Sequence, residues 1–142
     1  PATQPPLNYM TLICPDFLPW EVPVKPLALL AYPHHLYAHH HPHYAPPPPP
    51  PDYVTLSDVL TALYQNLRLP VTPAEYAALN PTSKSAVDAA YFARIKRIVD
   101  PARREAEARK GVKRVDFLGG KLRFGGLSGT VGDRTVWEVN VS

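Results

Sequence analysis

Proline and glycine occupy separate parts of this chain. All 19 prolines lie at or before Pro101, and all 7 glycines lie at or after Gly111. Proline cannot donate a hydrogen bond to a sheet ladder, whereas glycine permits tight turns and bulges. The division therefore predicts an extended front half and a hairpin-rich C-terminal tail.

Length and composition favour one folded domain. The chain has 142 residues and is 45% hydrophobic, which is enough for a real core. No stretch approaches the roughly 18 apolar residues of a membrane span, and none has the layout of a signal peptide. Cys14 is the single cysteine, so no internal disulfide forms, and we expect a small buried apolar residue in a reducing compartment. We therefore predict an intracellular protein without membrane contact.

Two short strands are predicted in the front half. Residues 9–14 and 20–24 are rich in β-branched and aromatic side chains, and Pro23 confines the second strand to a sheet edge or a bulge. Trp20 is expected to anchor the core, because a buried indole contributes a large apolar area to a small domain.

Residues 31–53 contain every histidine of the chain and a run of six prolines. Histidine clusters can bind Zn²⁺, Cu²⁺ or Ni²⁺, but a selective site fixes about four ligands and supports them with further hydrogen bonds. This tract has no cysteine, and Asp52 is its only acid. We therefore predict no specific metal site and no cofactor. The candidates for weak metal binding are His34, His35, His39, His40, His41 and His43.

The proline run has two interpretations. It could form a stiff polyproline II spacer, or it could dock into an SH3-type groove. We interpret residues 31–53 as a low-complexity insertion within a single domain that spans residues 1–142.

Helices are predicted after the insertion. Residues 56–67 show apolar side chains at helical spacing, with Thr55 as N-cap and Pro70 as the stop. The predicted apolar face consists of Leu56, Val59, Leu60, Leu63, Tyr64 and Leu67. A capping box that begins at Thr72 starts a second, short helix. Ser83 or Ser85 is expected to cap a third.

The third and fourth helices differ in character. The third should bury one face and leave Arg94 near its edge. The residues of that face are Val87, Ala90, Tyr91, Ile95 and Ile98. The fourth starts at Pro101, is polar nearly all round and ends at Gly111, so we expect it to be solvated or to contact a partner.

The glycine-rich tail predicts a three-stranded β-meander. Residues 112–118 alternate, the glycines at 119 and 120 suit a two-residue hairpin, and residues 121–124 and 135–141 supply the other strands. The glycines at 125 and 126 indicate a bulge. The predicted fold is α+β: a small antiparallel sheet, made of the front strands and this meander, packed against three to four helices.

Six sequence blocks resemble one known family. They are "PAT" at residues 1–3, "LPWEVPV" at 18–24, "VTLSDVLTALYQNLRLPVTPAEY" at 54–76, "KGVKRVDFLGG" at 110–120, "FGGLS" at 124–128 and "WEV" at 137–139. In this order they are similar to the blocks of a family of basidiomycete fungal domains of unknown function. The resemblance covers most of the chain except residues 27–52. It implies a fungal source and a shared fold, but no catalytic residue, because the family has no established activity.

Catalytic chemistry finds little support in the sequence. With all histidines in the insertion, Ser-His-Asp or Cys-His catalysis would need a tract without regular structure to supply its base. The stretch "GGLSGT" fails the nucleophile-elbow pattern, because Thr130 stands where a glycine is required. Asp116 and Glu138 could meet on one sheet face as an acid/base pair, although solvated strand faces commonly carry such residues.

Positive charge is concentrated near the third and fourth helices. Residues 94–123 hold eleven Lys and Arg against four acids, which gives that segment a charge of 11 − 4 = +7. The candidates for partner binding are Arg94, Arg97, Arg103, Arg104, Arg109, Lys110, Lys113 and Arg114. They could bind nucleic-acid phosphates or an acidic protein, or they could pair with acids of their own helix.

We therefore predict a noncatalytic protein-interaction or scaffold module with a protein partner. Nucleic-acid binding through residues 94–123 is the alternative, and an enzyme is the least favoured of the three. The sequence does not fix the oligomeric state.

Overall fold

The front strands and the last two strands of the chain form one four-stranded sheet. The structure is a computed structural model and describes residues 1–27 and 51–142. The strands are β1 (Met10–Cys14), β2 (Leu18–Val24), β3 (Phe124–Gly129) and β4 (Val136–Val141), in the spatial order β2-β1-β4-β3. With the helices described below, this confirms the predicted α+β class. Most of the predicted insertion lies outside the described residues.

The sheet is mostly antiparallel, with one parallel pair. β1 pairs antiparallel with β2, and Leu12 lies opposite Val22. β1 also pairs parallel with β4, and Leu12 lies opposite Trp137. This parallel contact corrects the expectation of a purely antiparallel sheet. β1 is thereby central, which accounts for the complete burial of Met10 and Leu12. β2 lies at the sheet edge, as its prolines predict.

Four α-helices follow in the described part of the chain: α1 (Leu56–Leu67), α2 (Pro73–Ala77), α3 (Pro81–Lys96) and α4 (Pro101–Arg109). Thr55 caps α1 and Thr72 starts α2 with a capping box, both as predicted. Thr55 forms a capping box as well, with Asp58, which was not predicted. The cap of α3 is Asn80, whose Oδ1 accepts from the Ser83 N–H at 2.8 Å, so the expectation of a serine cap was wrong. Asn80 and Pro81 both stop α2 and start α3, since proline suits the first helical position.

The predicted three-stranded meander is wrong in its first strand and in the hairpin at residues 119 and 120, and its second strand starts at Phe124 instead of spanning residues 121–124. Arg114–Leu118 is a 3-10 helix, and Gly119 ends it with φ 59°. Three consecutive residues, Asp116, Phe117 and Leu118, are buried, whereas a strand would send neighbouring side chains to opposite faces. The tail is therefore a two-stranded hairpin of β3 and β4. Its register shifts between Phe124 and Gly126, which confirms the predicted bulge.

The core lies between the sheet, α1, α3 and the 3-10 helix. Val59, Val87 and Phe117 bring these three helices onto the buried side chains of β1 and β2. Trp20 joins this core from its edge, with its ring centroid 4.9 Å from that of Phe117. Among residues 1–27 and 51–142, no helix combines the length and apolar character needed to cross a bilayer.

Candidate functional site

Arg94 is the centre of an ion-pair network rather than a free surface cation. Its Nε lies 2.8 Å from Asp116 Oδ1 and its Nη2 lies 2.7 Å from Asp116 Oδ2, which is a bidentate pair. Asp116 is only 2% exposed. Arg94 Nη1 also donates to Glu107 Oε1 at 2.8 Å. The hydrogen bonds to Asp116 raise the pKa of Arg94, so the guanidinium stays charged. Through its bonds to Glu107 and Asp116, it ties α3 to both α4 and the 3-10 helix.

Glu107 holds the second half of this network. It accepts from the ammonium of Lys113, and Lys110 Nζ lies 3.2 Å from its other oxygen. The hydrogen bond from Lys113 and the smaller effect of Lys110 outweigh the cost of burial, and they lower the pKa of Glu107 from 4.5 to about 2. One carboxylate of α4 therefore satisfies three of the predicted partner-binding cations.

Three further candidate cations are also engaged within the chain. Arg104 Nε donates to the backbone carbonyl of Ile98 at 2.8 Å, near the end of α3. Arg109 pairs with Glu105 on the exposed face of α4. Arg114 Nη1 donates to Asn66 Oδ1 at 2.9 Å. These bonds are the internal pairing that the sequence offered as one interpretation of the basic segment.

Arg114 also belongs to a cluster around Trp20. Its guanidinium lies 4.4 Å from the Trp20 ring centroid, and the indole Nε1 donates to Glu75 Oε1 at 2.6 Å. The first turn of α2 is thereby tied to β2 and to the 3-10 helix. Arg97 and Arg103 are exposed, and in the part of the chain that the structure describes neither forms an ion pair.

The predicted carboxylate pair does not form on a sheet face. Asp116 lies in the 3-10 helix and is bound to Arg94, whereas Glu138 is on β4. The expectation failed because the segment that carries Asp116 is not a strand. Cys14 is buried, as predicted, and burial together with the nearby Asp16 and Glu138 raises the pKa of its thiol. A raised pKa keeps the thiol protonated and unreactive at neutral pH.

The six predicted metal candidates fall outside the described residues. Within residues 1–27 and 51–142, no group of three or more His, Cys, Asp or Glu side chains is arranged to hold a metal ion. The "GGLSGT" stretch runs along β3 into the loop before β4, and Thr130 Oγ1 donates to the backbone carbonyl of Val136 at 2.9 Å. Thr130 therefore has a structural bond.

The predicted apolar face of α1 is only partly buried. Val59 and Leu63 enter the core, but Leu56, Leu60 and Tyr64 are 51%, 45% and 62% exposed. These three side chains are spaced four residues apart and form a continuous stripe, which we call the α1 ridge. Ser57 and Thr61 lie beside it, so the surface is uncharged. Arg68 bounds its C-terminal end and donates to the Tyr64 hydroxyl at 2.9 Å.

Asp58 explains why the ridge faces outward. Its carboxylate accepts from the N–H of Thr55 at 2.7 Å and from the N–H of Leu27 at 3.0 Å. Burial alone would raise the pKa of Asp58, but the hydrogen bonds from Thr55 and Leu27 lower it overall. Because Asp58 is buried, its side of α1 faces inward. Leu60 and Tyr64 each follow a core residue by one position, which is about 100° around the helix, and they therefore face outward.

The comparison with known proteins identifies the chain at the level of its family. The family of unknown function DUF6699 matches residues 1–136. The chain belongs to the DUF6699 family. No curated protein and no solved structure matches it. The resemblance to domains of unknown function is thereby confirmed.

The DUF6699 match covers all of the described elements except most of β4. It extends from the first residue to Val136, where β4 begins, and so includes the α1 ridge and the network around Arg94. The family description carries no activity, so a function for this DUF6699 domain has to be argued from its surfaces.

Proposed function

We propose that this DUF6699 domain is a noncatalytic protein-interaction module. The observation that carries the proposal is the α1 ridge, where Leu56, Leu60 and Tyr64 are all about half exposed or more. Single exposed apolar residues are normal on protein surfaces, but contiguous apolar patches mark interaction sites. Three such side chains in one stripe have this character.

The form of the ridge favours a helical partner segment. Side chains at positions i, i+4 and i+8 form the ridge that packs into the groove of a second helix. The uncharged neighbours Ser57 and Thr61 would allow close approach without desolvating a charge. The hydroxyl of Tyr64, already bonded to Arg68, would supply a polar end to an otherwise apolar contact.

Nucleic-acid binding is the weaker alternative. Six of the eight candidate cations donate to groups of this chain, and Glu107 and Asp116 neutralise the most buried of them. Arg97 and Arg103 remain the cations best placed to contact phosphate. Binding that depended on them would weaken steeply with salt. An enzymatic role is the least supported, because the described residues offer neither a histidine nor a reactive thiol.

The test compares proteins captured from cell extract by the wild-type chain and by two variants. Leu60→Gln removes the centre of the ridge and keeps helix propensity, and Phe92→Gln is the matched control at an exposed aromatic of α3. We expect a partner that is retained by the control and lost with Leu60→Gln, and that survives nuclease treatment. Identical capture by all three proteins would remove the support for the ridge.

Two finer features remain proposals. The sequence blocks favour a fungal source, and the lone buried Cys14 favours a reducing intracellular compartment. Localisation of the tagged chain in its native cell would test the second.

A further inference from the structure

A second surface, distinct from the α1 ridge, has the form of a ligand groove. It lies between the β1–β2 turn, the N-terminal half of α3 and the end of the 3-10 helix, with a volume of about 450 Å³. Ligand sites commonly have volumes of about 300 to 1,000 Å³. We call this surface the front groove.

The floor of the front groove is part of the core. Leu18, Val87 and Phe117 line it, and all three are buried. Core side chains are close-packed, so the floor is preformed and does not need to rearrange when a ligand enters. Two small residues, Ala86 and Gly119, line the groove beside this floor, and a Cβ added at Gly119 would lie 3.7 Å from the Cβ of Ala86.

The rim of the front groove carries one charge of each sign, Lys121 and Asp16, and the first turn of α3 also lines the groove. Lys121 lines the groove, and its ammonium lies 5.6 Å from the centroid of the Phe17 ring. In residues 1–27 and 51–142, Lys121 has no carboxylate within ion-pair distance, and Asp16 lines the groove without pairing with it. The first turn of α3 contains no acidic residue, so its dipole adds positive potential beside Thr82.

We propose that the front groove binds a segment of a partner protein in which a large apolar side chain adjoins an acidic residue. The apolar side chain enters above Leu18 and Phe117, and the acidic residue pairs with Lys121. The partner is a peptide segment, because a peptide can place an apolar side chain and a carboxylate side by side, as the apolar floor and Lys121 require. This inference rests on the proposed interaction function and assigns it a second surface and a partner chemistry.

The test selects random heptapeptides displayed on phage against the full chain. We expect enriched sequences that place Leu, Phe or Trp next to Asp or Glu. Ala86→Leu fills the groove from an exposed helix position, and Ala89→Leu is the matched control one turn further along. Binding of the enriched peptides should fall at least about tenfold with Ala86→Leu and stay unchanged with Ala89→Leu.

Charge reversal tests the acidic part of the motif. Lys121→Glu should weaken binding at least about tenfold, whereas Arg123→Glu, which makes the same change of net charge outside the groove, should leave it within about twofold. A selection that enriches nothing, or peptides that bind Ala86→Leu as well as wild type, would overturn the proposal. Peptides lost only with Leu60→Gln would refute the front groove while leaving the interaction function standing.

Discussion

Replacing Arg94 by methionine is the sharpest test of the ion-pair network. Methionine keeps the apolar stem of the side chain and favours helix, so the substitution mainly removes the guanidinium. Asp116, which is 2% exposed, then loses two hydrogen bonds and its counterion. Among residues 1–27 and 51–142, it retains only the bond from the backbone N–H of Lys113 at 2.9 Å.

The loss of folding stability caused by Arg94→Met depends on which carboxylate is left without a partner. Glu107 also loses a bond to Arg94, but Lys113 and Lys110 still neutralise it. In the described part of the chain Asp116 has no such substitute, and it is almost fully buried. Removing one partner of a buried pair costs about 3 to 5 kcal/mol. Because the Arg94 side chain is itself 21% exposed, we expect the low end, about 3 kcal/mol.

The assay is urea unfolding at pH 7, followed by tryptophan fluorescence. Arg109→Met is the matched control, because it makes the same substitution in a pair whose side chains are 76% and 66% exposed. Exposed pairs contribute about 0.2 to 1 kcal/mol, so the control should shift the unfolding midpoint only slightly.

A double variant tests whether the lost stability comes from the unpaired charge of Asp116. Asp116→Asn removes the buried charge and keeps an oxygen for the Lys113 N–H. Added to Arg94→Met, it should make the protein about 1 to 2 kcal/mol more stable than Arg94→Met alone, because the uncompensated charge is gone. If the second substitution destabilises further, or if Arg94→Met costs no more than Arg109→Met, the reasoning about a buried charge is wrong.

Three further predictions use the same unfolding assay. The pKa of Glu107 is lowered from 4.5 to about 2, so its ion pairs stabilise the fold fully above pH 4.5, and this stabilisation is lost as the pH falls toward 2. Glu107→Gln should flatten that part of the plot of unfolding free energy against pH. Trp20→Phe removes the hydrogen bond to Glu75 and should cost about 1 to 2 kcal/mol, whereas Glu75→Gln, which keeps an acceptor, should cost less. Val59→Ala should cost about 2 kcal/mol and Leu60→Ala under about 1, and equal costs would contradict the observed orientation of α1.

Local signals in the sequence predicted the elements whose cause is local. The N-cap at Thr55, the capping box at Thr72 and the bulge at residues 125 and 126 depend on neighbouring residues, and each is present. The edge position of β2 follows from its prolines in the same way. The parallel pairing of β1 with β4 depends on contacts across most of the chain, and no local pattern encodes it.

The 3-10 helix shows how a distant partner can override an apparent strand pattern. Residues 112–118 alternate well enough to suggest a strand, but Asp116 is bound by Arg94 from another helix and caps its own turn through Lys113. The basic segment also depends on distant partners. Eleven cations against four acids left phosphate binding, an acidic protein partner and internal pairing open as interpretations. Two of those four acids, Glu107 and Asp116, are placed to engage the cations nearest the core.

The α1 ridge follows from combining the local pattern with one distant contact. Periodicity predicted six apolar residues on one helix face, but Leu56, Leu60 and Tyr64 are exposed. Which part is buried is decided by Asp58, because its carboxylate must reach the N–H of Leu27 from across the insertion. Val59 and Leu63 turn inward with it, and Leu60 turns outward. An acidic residue at the third position of a helix therefore indicates which side of an amphipathic helix is buried, once the distant donor to its carboxylate is known.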